Sequence, residues 1–251
     1  MKQKPITLPF GFAILLFIVQ GISMKAEYPG LLCAIEGIDG AGKTVLVKNL
    51  STALEQLAYP IICTKEPGAT ELGQTIRSLL ADRKAPTCLK AESLLFAADR
   101  AQHFHDIVIP HLKKGFIVLS DRMSDSSLAY QGFLKGLSLD MIKTINEWCM
   151  QSIQPNLVIY LKVDHETALK RIQKERGIMT KFEEEFQNRM HILIQGFEKL
   201  FQDKKNVVII DALDDTEKIT QKALQAIQNA LEKKQYVAQP NNSAQFSSLD
   251  Q

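Results

Sequence analysis

The sequence predicts an α/β domain, a parallel β-sheet with helices on both faces and a short lid. Three observations carry that prediction: apolar runs of strand length recur along the chain, stretches of helical periodicity separate them, and the first run leads directly into a glycine-rich loop that opens a helix. Such alternation buries its apolar surface by forming a parallel sheet covered on both sides. Leu31–Ile35 is a wholly apolar first strand, and Leu46, Leu50 and Leu54 space the helix Lys43–Leu57. Tyr59–Cys63 is the second strand, followed by helices Glu71–Ala81, with Leu72 and Ile76, and Ala91–Leu112, with Phe104, Val108 and Leu112. Phe116–Ser120 is the third strand, and Leu139–Gln151 the helix after it. Leu157–Val163 is the fourth, followed by helices His165–Arg176 and Phe182–Phe201; Val207–Ile210 and the helix Thr216–Lys233 complete the pattern.

The 251 residues, 45% hydrophobic and 23% charged, suffice for one ample core, placed at residues 30–234. A formal charge of +2 argues neither for nor against a nucleic-acid partner, so any anion site must be local, and none of the motifs calls for nucleic acid. Cys33, Cys63, Cys88 and Cys149 show no C-x-x-C spacing and read as reduced thiols in apolar surroundings. His103 and His105 lack a second ligand pair at metal spacing, which favours surface or packing roles. Residues 1–29 form an apolar extension resembling the start of a secretory signal, too short for a comfortable membrane span. Because the glycine-rich loop after the first strand calls for a nucleoside triphosphate, which a secreted protein would lack, the functional chain is expected to begin near Met24 and to be cytoplasmic, with no membrane partner. Residues 235–251, polar and rich in Pro, Asn and Ser, are expected to be a disordered tail.

The chemistry begins at Gly37-Ile38-Asp39-Gly40-Ala41-Gly42-Lys43-Thr44, a complete G-x-x-x-x-G-K-T loop of the P-loop NTPase type, and the predicted ATP site. Its glycines let successive N–H groups turn toward a polyphosphate. Lys43 neutralises the β and γ oxygens, and the Thr44 hydroxyl can hold Mg²⁺ at the start of a helix whose dipole favours anions. Asp39 adds like-charge repulsion to this loop and needs another role. In open parallel sheets ligands bind beyond the carboxyl ends of the strands. There the chain carries Lys65-Glu66-Pro67-Gly68, a helix with Arg77, and Asp121-Arg122, a carboxylate suited to Mg²⁺ beside a guanidinium suited to phosphate. Phe96 and Arg100, four apart on one helix, can stack on and hydrogen-bond a nucleobase. Arg171, Lys174, Arg176 and Lys181 crowd around Gly177, either as a solvated helix face or as a lid over ATP.

Four segments together resemble the bacterial thymidylate kinases, from about Leu31 to about Leu231: Glu36–Thr44, Thr64–Gly68, Leu95–His103 and Asp121–Gly132. The resemblance implies phosphorylation of dTMP to dTDP with ATP and Mg²⁺, for dTTP synthesis, by a homodimer. It implies that Asp39 contacts the 3′-hydroxyl of dTMP, Phe96 stacks on thymine, and Arg100 hydrogen-bonds the base. It further implies that Arg77 and Arg122 hold the acceptor phosphate, with Glu66 also in the dTMP site, and that Ser127 and Gln131 reach the base edge. Tyr130 would exclude a ribose 2′-hydroxyl, and Asp121, with Thr44, would organise Mg²⁺. Gly40 stands where another subtype has an arginine, so the catalytic arginine is expected from the lid, Arg176 first and Arg171 second. Lys65, Ala69, Met123 and Lys181 depart from the family pattern without removing Lys43, Thr44, Asp121 or Arg122. The competing readings are a kinase for another nucleoside monophosphate or a deoxynucleoside, a GTP-dependent switch, and a membrane-tethered nucleotide-binding protein. The absence of an Asn-Lys-x-Asp motif argues against the switch.

Overall fold

The computed structural model describes residues 28–82, 88–176, 184 and 187–236. Five parallel strands, β1 (Leu31–Glu36), β2 (Ile61–Lys65), β3 (Ile117–Asp121), β4 (Leu157–Lys162) and β5 (Val207–Asp211), form one sheet in the order β2-β3-β1-β4-β5. β1 is buried at all six positions, with helices covering both faces, which explains the apolar run Leu31–Ile35 that precedes its buried terminal Glu36.

The helices are α1 (Lys43–Gln56), α2 (Glu71–Ala81), α3 (Leu89–His103), α4 (Ile109–Lys113), α5 (Ser124–Ser127), α6 (Leu139–Cys149), α7 (His165–Arg176), α8 (Met190–Phe201) and α9 (Thr216–Lys233). The step from β1 to β2 runs toward one edge of the sheet, and the later crossovers run toward the other. Right-handed connection therefore puts α1 on one face and the helices of the later crossovers on the opposite one. α9 packs on α1, β4 and β5 and completes the first face. The chain departs from β1 and from β3 on opposite faces, which opens a crevice at the carboxyl ends of these neighbouring strands.

Five expectations need correction or extension. The second strand lies two residues later than its apolar run, because parallel pairing with β3 continues through Lys65 opposite Asp121 and outweighs the polarity of Thr64 and Lys65. The long helix around Phe104 starts at Leu89, reaches Lys113, and contains a wider π-type turn at Phe104–Val108. No helix was expected between Arg122 and Leu139, yet α5 continues into a π-type segment, Leu128–Leu134, held against α8. Cys63 and Cys88 are exposed, unlike Cys33 and Cys149, and all four are free thiols. Tyr236, two residues past the predicted domain end, donates its hydroxyl to the Gly115 carbonyl and packs its ring 6.1 Å from that of Tyr59.

Residues 1–27, which hold nearly all of the amino-terminal extension, lie outside the described residues, as do residues 237–251 of the expected tail and the lid positions 177–183. Among the described residues no helix is long and apolar enough to cross a membrane.

Candidate active site

The crevice at the carboxyl ends of β1 and β3 widens into a cleft of about 1110 Å³. The part Asp39–Thr44 of the phosphate loop forms one wall, and its backbone is conditioned by close packing. Gly40 has φ +78°, and a Cβ there would sit 2.4 Å from the carbonyl oxygen of Ala168 in α7, so only glycine fits. Lys43 is buried and donates to the Ile38 carbonyl at 2.8 Å, folding the loop over its own side chain. Burial, and then Arg122, push its ammonium down to about 8, with Asp39, Asp121 and Glu36 opposing. Thr44 Oγ1 donates to Asp121 Oδ2 at 2.7 Å, pairing two hard oxygen donors from α1 and β3.

Asp39 has a partner at once. Arg122 Nη2 donates to its Oδ1 at 2.7 Å, and the Tyr130 hydroxyl donates to its Oδ2 at 2.9 Å. Burial pushes the Asp39 carboxyl up, but Arg122, Lys43 and the Tyr130 hydrogen bond outweigh it and hold the group well below the usual carboxylate range. Arg122 adopts φ +70°, costly for a residue with a Cβ. The chain holds it there through its backbone N–H to Ile35 and its Nη1 to the Gly37 carbonyl at 2.8 Å and to Ser126 Oγ at 3.1 Å. Its guanidinium carbon lies 5.2 Å from the centre of the Tyr130 ring. Beneath it, Glu36 is fully buried and accepts from the N–H of Met123 at 2.9 Å and the hydroxyl of Ser126 at 2.6 Å, fixing the start of α5. Burial first, and the nearby Asp125 second, push Glu36 up to about 7.

The far end of the cleft is organised around Arg100, only 2% exposed. Its Nε donates to Glu66 Oε2 at 2.8 Å, Nη1 to Asn146 Oδ1 at 2.6 Å, and Nη2 to Ser127 Oγ at 3.0 Å and the Met123 carbonyl at 3.3 Å. His103 Nδ1 faces Glu66 Oε1 at 2.9 Å, so with a carboxylate opposite it is the donor, and Thr64 Oγ1 meets Nε2 at 2.7 Å. Phe96 lies beside Arg100 on α3 and lines the same cleft. Gln131 lines it too, with its Nε2 donating to Glu92. Arg77 reaches the cleft from α2 and donates to the Pro67 carbonyl at 2.9 Å.

Nearly every site residue predicted from the sequence therefore meets in one cleft. Gly37 and Ile38 do not line it: Gly37 offers its carbonyl to Arg122, and Ile38 is a core side chain whose carbonyl holds Lys43. Glu66 has both oxygens engaged by Arg100 and His103, which leaves it supporting the Arg100 side chain. Arg171 donates to the Ala212 carbonyl at 2.7 Å and approaches that of Gly40, which fastens α7 to the loop. Arg176 closes α7, and the lid expected after it lies outside the described residues.

Sequence reasoning missed Glu36, Asp99, His103, Asn146, Glu92 and Lys135. A carboxylate ending an apolar strand was a legible signal at Glu36. His103, for which a surface or packing role is expected, is fully buried in the Arg100 network. Asp99 accepts from the Gly68 N–H at 2.9 Å, and its Oδ2 has no partner among the described residues; burial, then Glu66, push it up to about 6.

A phosphate loop joined in one cleft, through an arginine–carboxylate pair, to the Arg100 fork and Phe96 fits a P-loop kinase of the nucleoside monophosphate class. The sequence profile described as thymidylate kinase matches residues 35–223. Curated thymidylate kinases align over almost their whole length: that of Halothermothrix orenii is 36% identical over 212 residues, covering 80% of this chain and 98% of the relative. That of Bacillus pumilus is 34% identical over 209 residues, covering 82% and 99%, and that of Carboxydothermus hydrogenoformans 38% identical over 180 residues, covering 72% and 88%. The chain belongs to the thymidylate kinase family.

Proposed function

We infer that the protein phosphorylates dTMP to dTDP with ATP as donor, supplying dTTP synthesis. The observation that carries this reading is that one cleft joins a phosphate loop to the buried Arg100 fork through the Asp39–Arg122 pair. Transfer is a direct in-line attack of an acceptor phosphate oxygen on the γ-phosphorus of ATP, and no covalent enzyme intermediate is needed. Lys43, released from the Ile38 carbonyl, stabilises the spreading negative charge. Arg122 remains protonated at every working pH, since Tyr130, Asp39, Asp121 and Glu36 outweigh its burial, and it holds the acceptor phosphate with Arg77.

Asp39 takes the sugar 3′-hydroxyl, and the anchored Tyr130 ring occupies the space of a ribose 2′-hydroxyl. Phe96 and Arg100 hold thymine. Thr44 and Asp121 present the hydroxyl and carboxylate oxygens that suit Mg²⁺, which would neutralise the β and γ oxygens when bound. Ala168 excludes any side chain at position 40, which supports a catalytic arginine from the lid, Arg176 in first place. Leu94, Met141 and Trp148, exposed on the neighbouring helices α3 and α6, support a homodimer packed through helices. We place the enzyme in the cytoplasm, where both nucleotides occur.

A coupled ADP-release assay with dTMP, dUMP, ribothymidine monophosphate, dCMP, dGMP, AMP and thymidine tests the reading. Turnover should be strongest with dTMP and abolished by Lys43→Ala; preference for another acceptor would overturn it.

A further inference from the structure

Glu92 of α3 lies behind Gln131, outside the lining of the cleft, and is 7% exposed. Lys135 donates to both its oxygens, at 2.9 and 2.8 Å, and Gln131 Nε2 donates to Oε1 at 3.2 Å. Gln131 lies in the π-type segment after α5 and Lys135 just past its end, and both meet the same carboxylate.

A carboxylate paired with an ammonium only accepts hydrogen bonds, so the end of the Gln131 amide that faces Glu92 must be the NH₂. Its carbonyl is then the end left to serve the cleft that Gln131 lines. Arg100, also in the lining, supplies only donors. One acceptor beside a donor complements a pyrimidine with an N3–H and a 4-oxo group. A 4-aminopyrimidine presents the reverse pattern, an unprotonated N3 and an amino donor.

We propose that Glu92, held by Lys135, is a positioning residue that fixes the orientation of the Gln131 amide and thereby selects 4-oxopyrimidine over 4-aminopyrimidine nucleotides. This rests on the dTMP kinase reading and assigns its base selectivity to a pair that touches no substrate. An amide that can rotate offers its NH₂ to the base as readily as its carbonyl, and a free Gln131 side chain would accept either edge. A site built around fixed donors and acceptors rejects the mismatched analogue because its own groups are left unpaired.

The test compares kcat/KM for dTMP and dCMP in wild type, Glu92→Gln, and the paired Glu92→Met/Lys135→Met variant. Glu92→Gln offers Gln131 either an acceptor or a donor and so frees its rotation. The paired variant removes both charges together and strands neither, which keeps a folded protein in hand if the single variant fails to fold. The dTMP/dCMP ratio should fall about tenfold or more in either folded variant, with the dTMP effect mainly in KM, whereas a merely structural role would lower both substrates alike. A ratio within about twofold of wild type, in a variant whose melting curve shows it folded, overturns the proposal. Wild-type protein that phosphorylates no dTMP overturns the underlying reading as well, so the two failures are distinguishable.

Discussion

Replacing Glu66 by glutamine tests how the Arg100 fork is held. Glu66 and Arg100 have side chains 4% and 2% exposed, and they meet at 2.8 Å. Glutamine has the same shape but loses the charge, and its NH₂ must face either Arg100 Nε–H, a donor against a donor, or His103 Nδ1, which then has to become the acceptor with its proton moved to Nε2. Removing one partner of a buried pair costs about 3–5 kcal/mol, because the surviving charge stays desolvated. Asn146, Ser127 and the Met123 carbonyl still hold Arg100, so we expect the lower end, about 3 kcal/mol, equivalent to a melting-temperature drop of about 6–12 °C for a domain of this size. Urea unfolding at pH 7 measures it, and NMR titration of Asp99 gives an independent readout. The Glu66 charge is the second cause, after burial, holding Asp99 up to about 6, and its removal should let Asp99 titrate lower. Glu66→Leu combined with Arg100→Met should recover most of the stability while still impairing dTMP binding. An unchanged urea midpoint and slope, with Asp99 titrating as before, would refute the reasoning.

Three further outcomes follow from the same geometry. The Glu36 carboxyl, pushed from 4.5 up to about 7, retains a proton in the folded protein that the unfolded chain has released, so its contribution to stability falls as pH rises across that window. Glu36→Gln should flatten stability between pH 5 and pH 7, and urea midpoints retaining the wild-type slope would contradict this assignment. Gly40→Ala meets both a positive φ and the Ala168 carbonyl, and should abolish ATP binding by calorimetry; wild-type affinity would show that the loop can move away from α7. Tyr130→Ala should raise turnover of ribothymidine monophosphate relative to dTMP by about tenfold, and an unchanged ratio would remove Tyr130 from sugar selection.

Much of this protein was legible in its residues because the relevant signals are local. The apolar run Leu31–Ile35 followed by Gly37–Thr44 is contiguous chemistry, and phosphate binding needs only that backbone and Lys43. The alternation of strands and helices likewise follows from burial within short windows, so the parallel α/β class could be read directly. Lys65 was misassigned to a loop because its strand character comes from pairing with Asp121, a partner 56 residues away that no local window contains. Asp39 stood out in sequence as a like charge inside the phosphate loop, with a role implied only by resemblance, and its partners became visible only when folding brought Arg122 and Tyr130 to its two oxygens. The Arg100 fork draws on the loop after β2, on α3, α5 and α6, and the supports Asn146 and His103 look like ordinary polar residues in sequence. Only tertiary structure could assign them, because a buried charge is stabilised by whichever donors and acceptors the fold delivers to it, and those lie far apart along the chain.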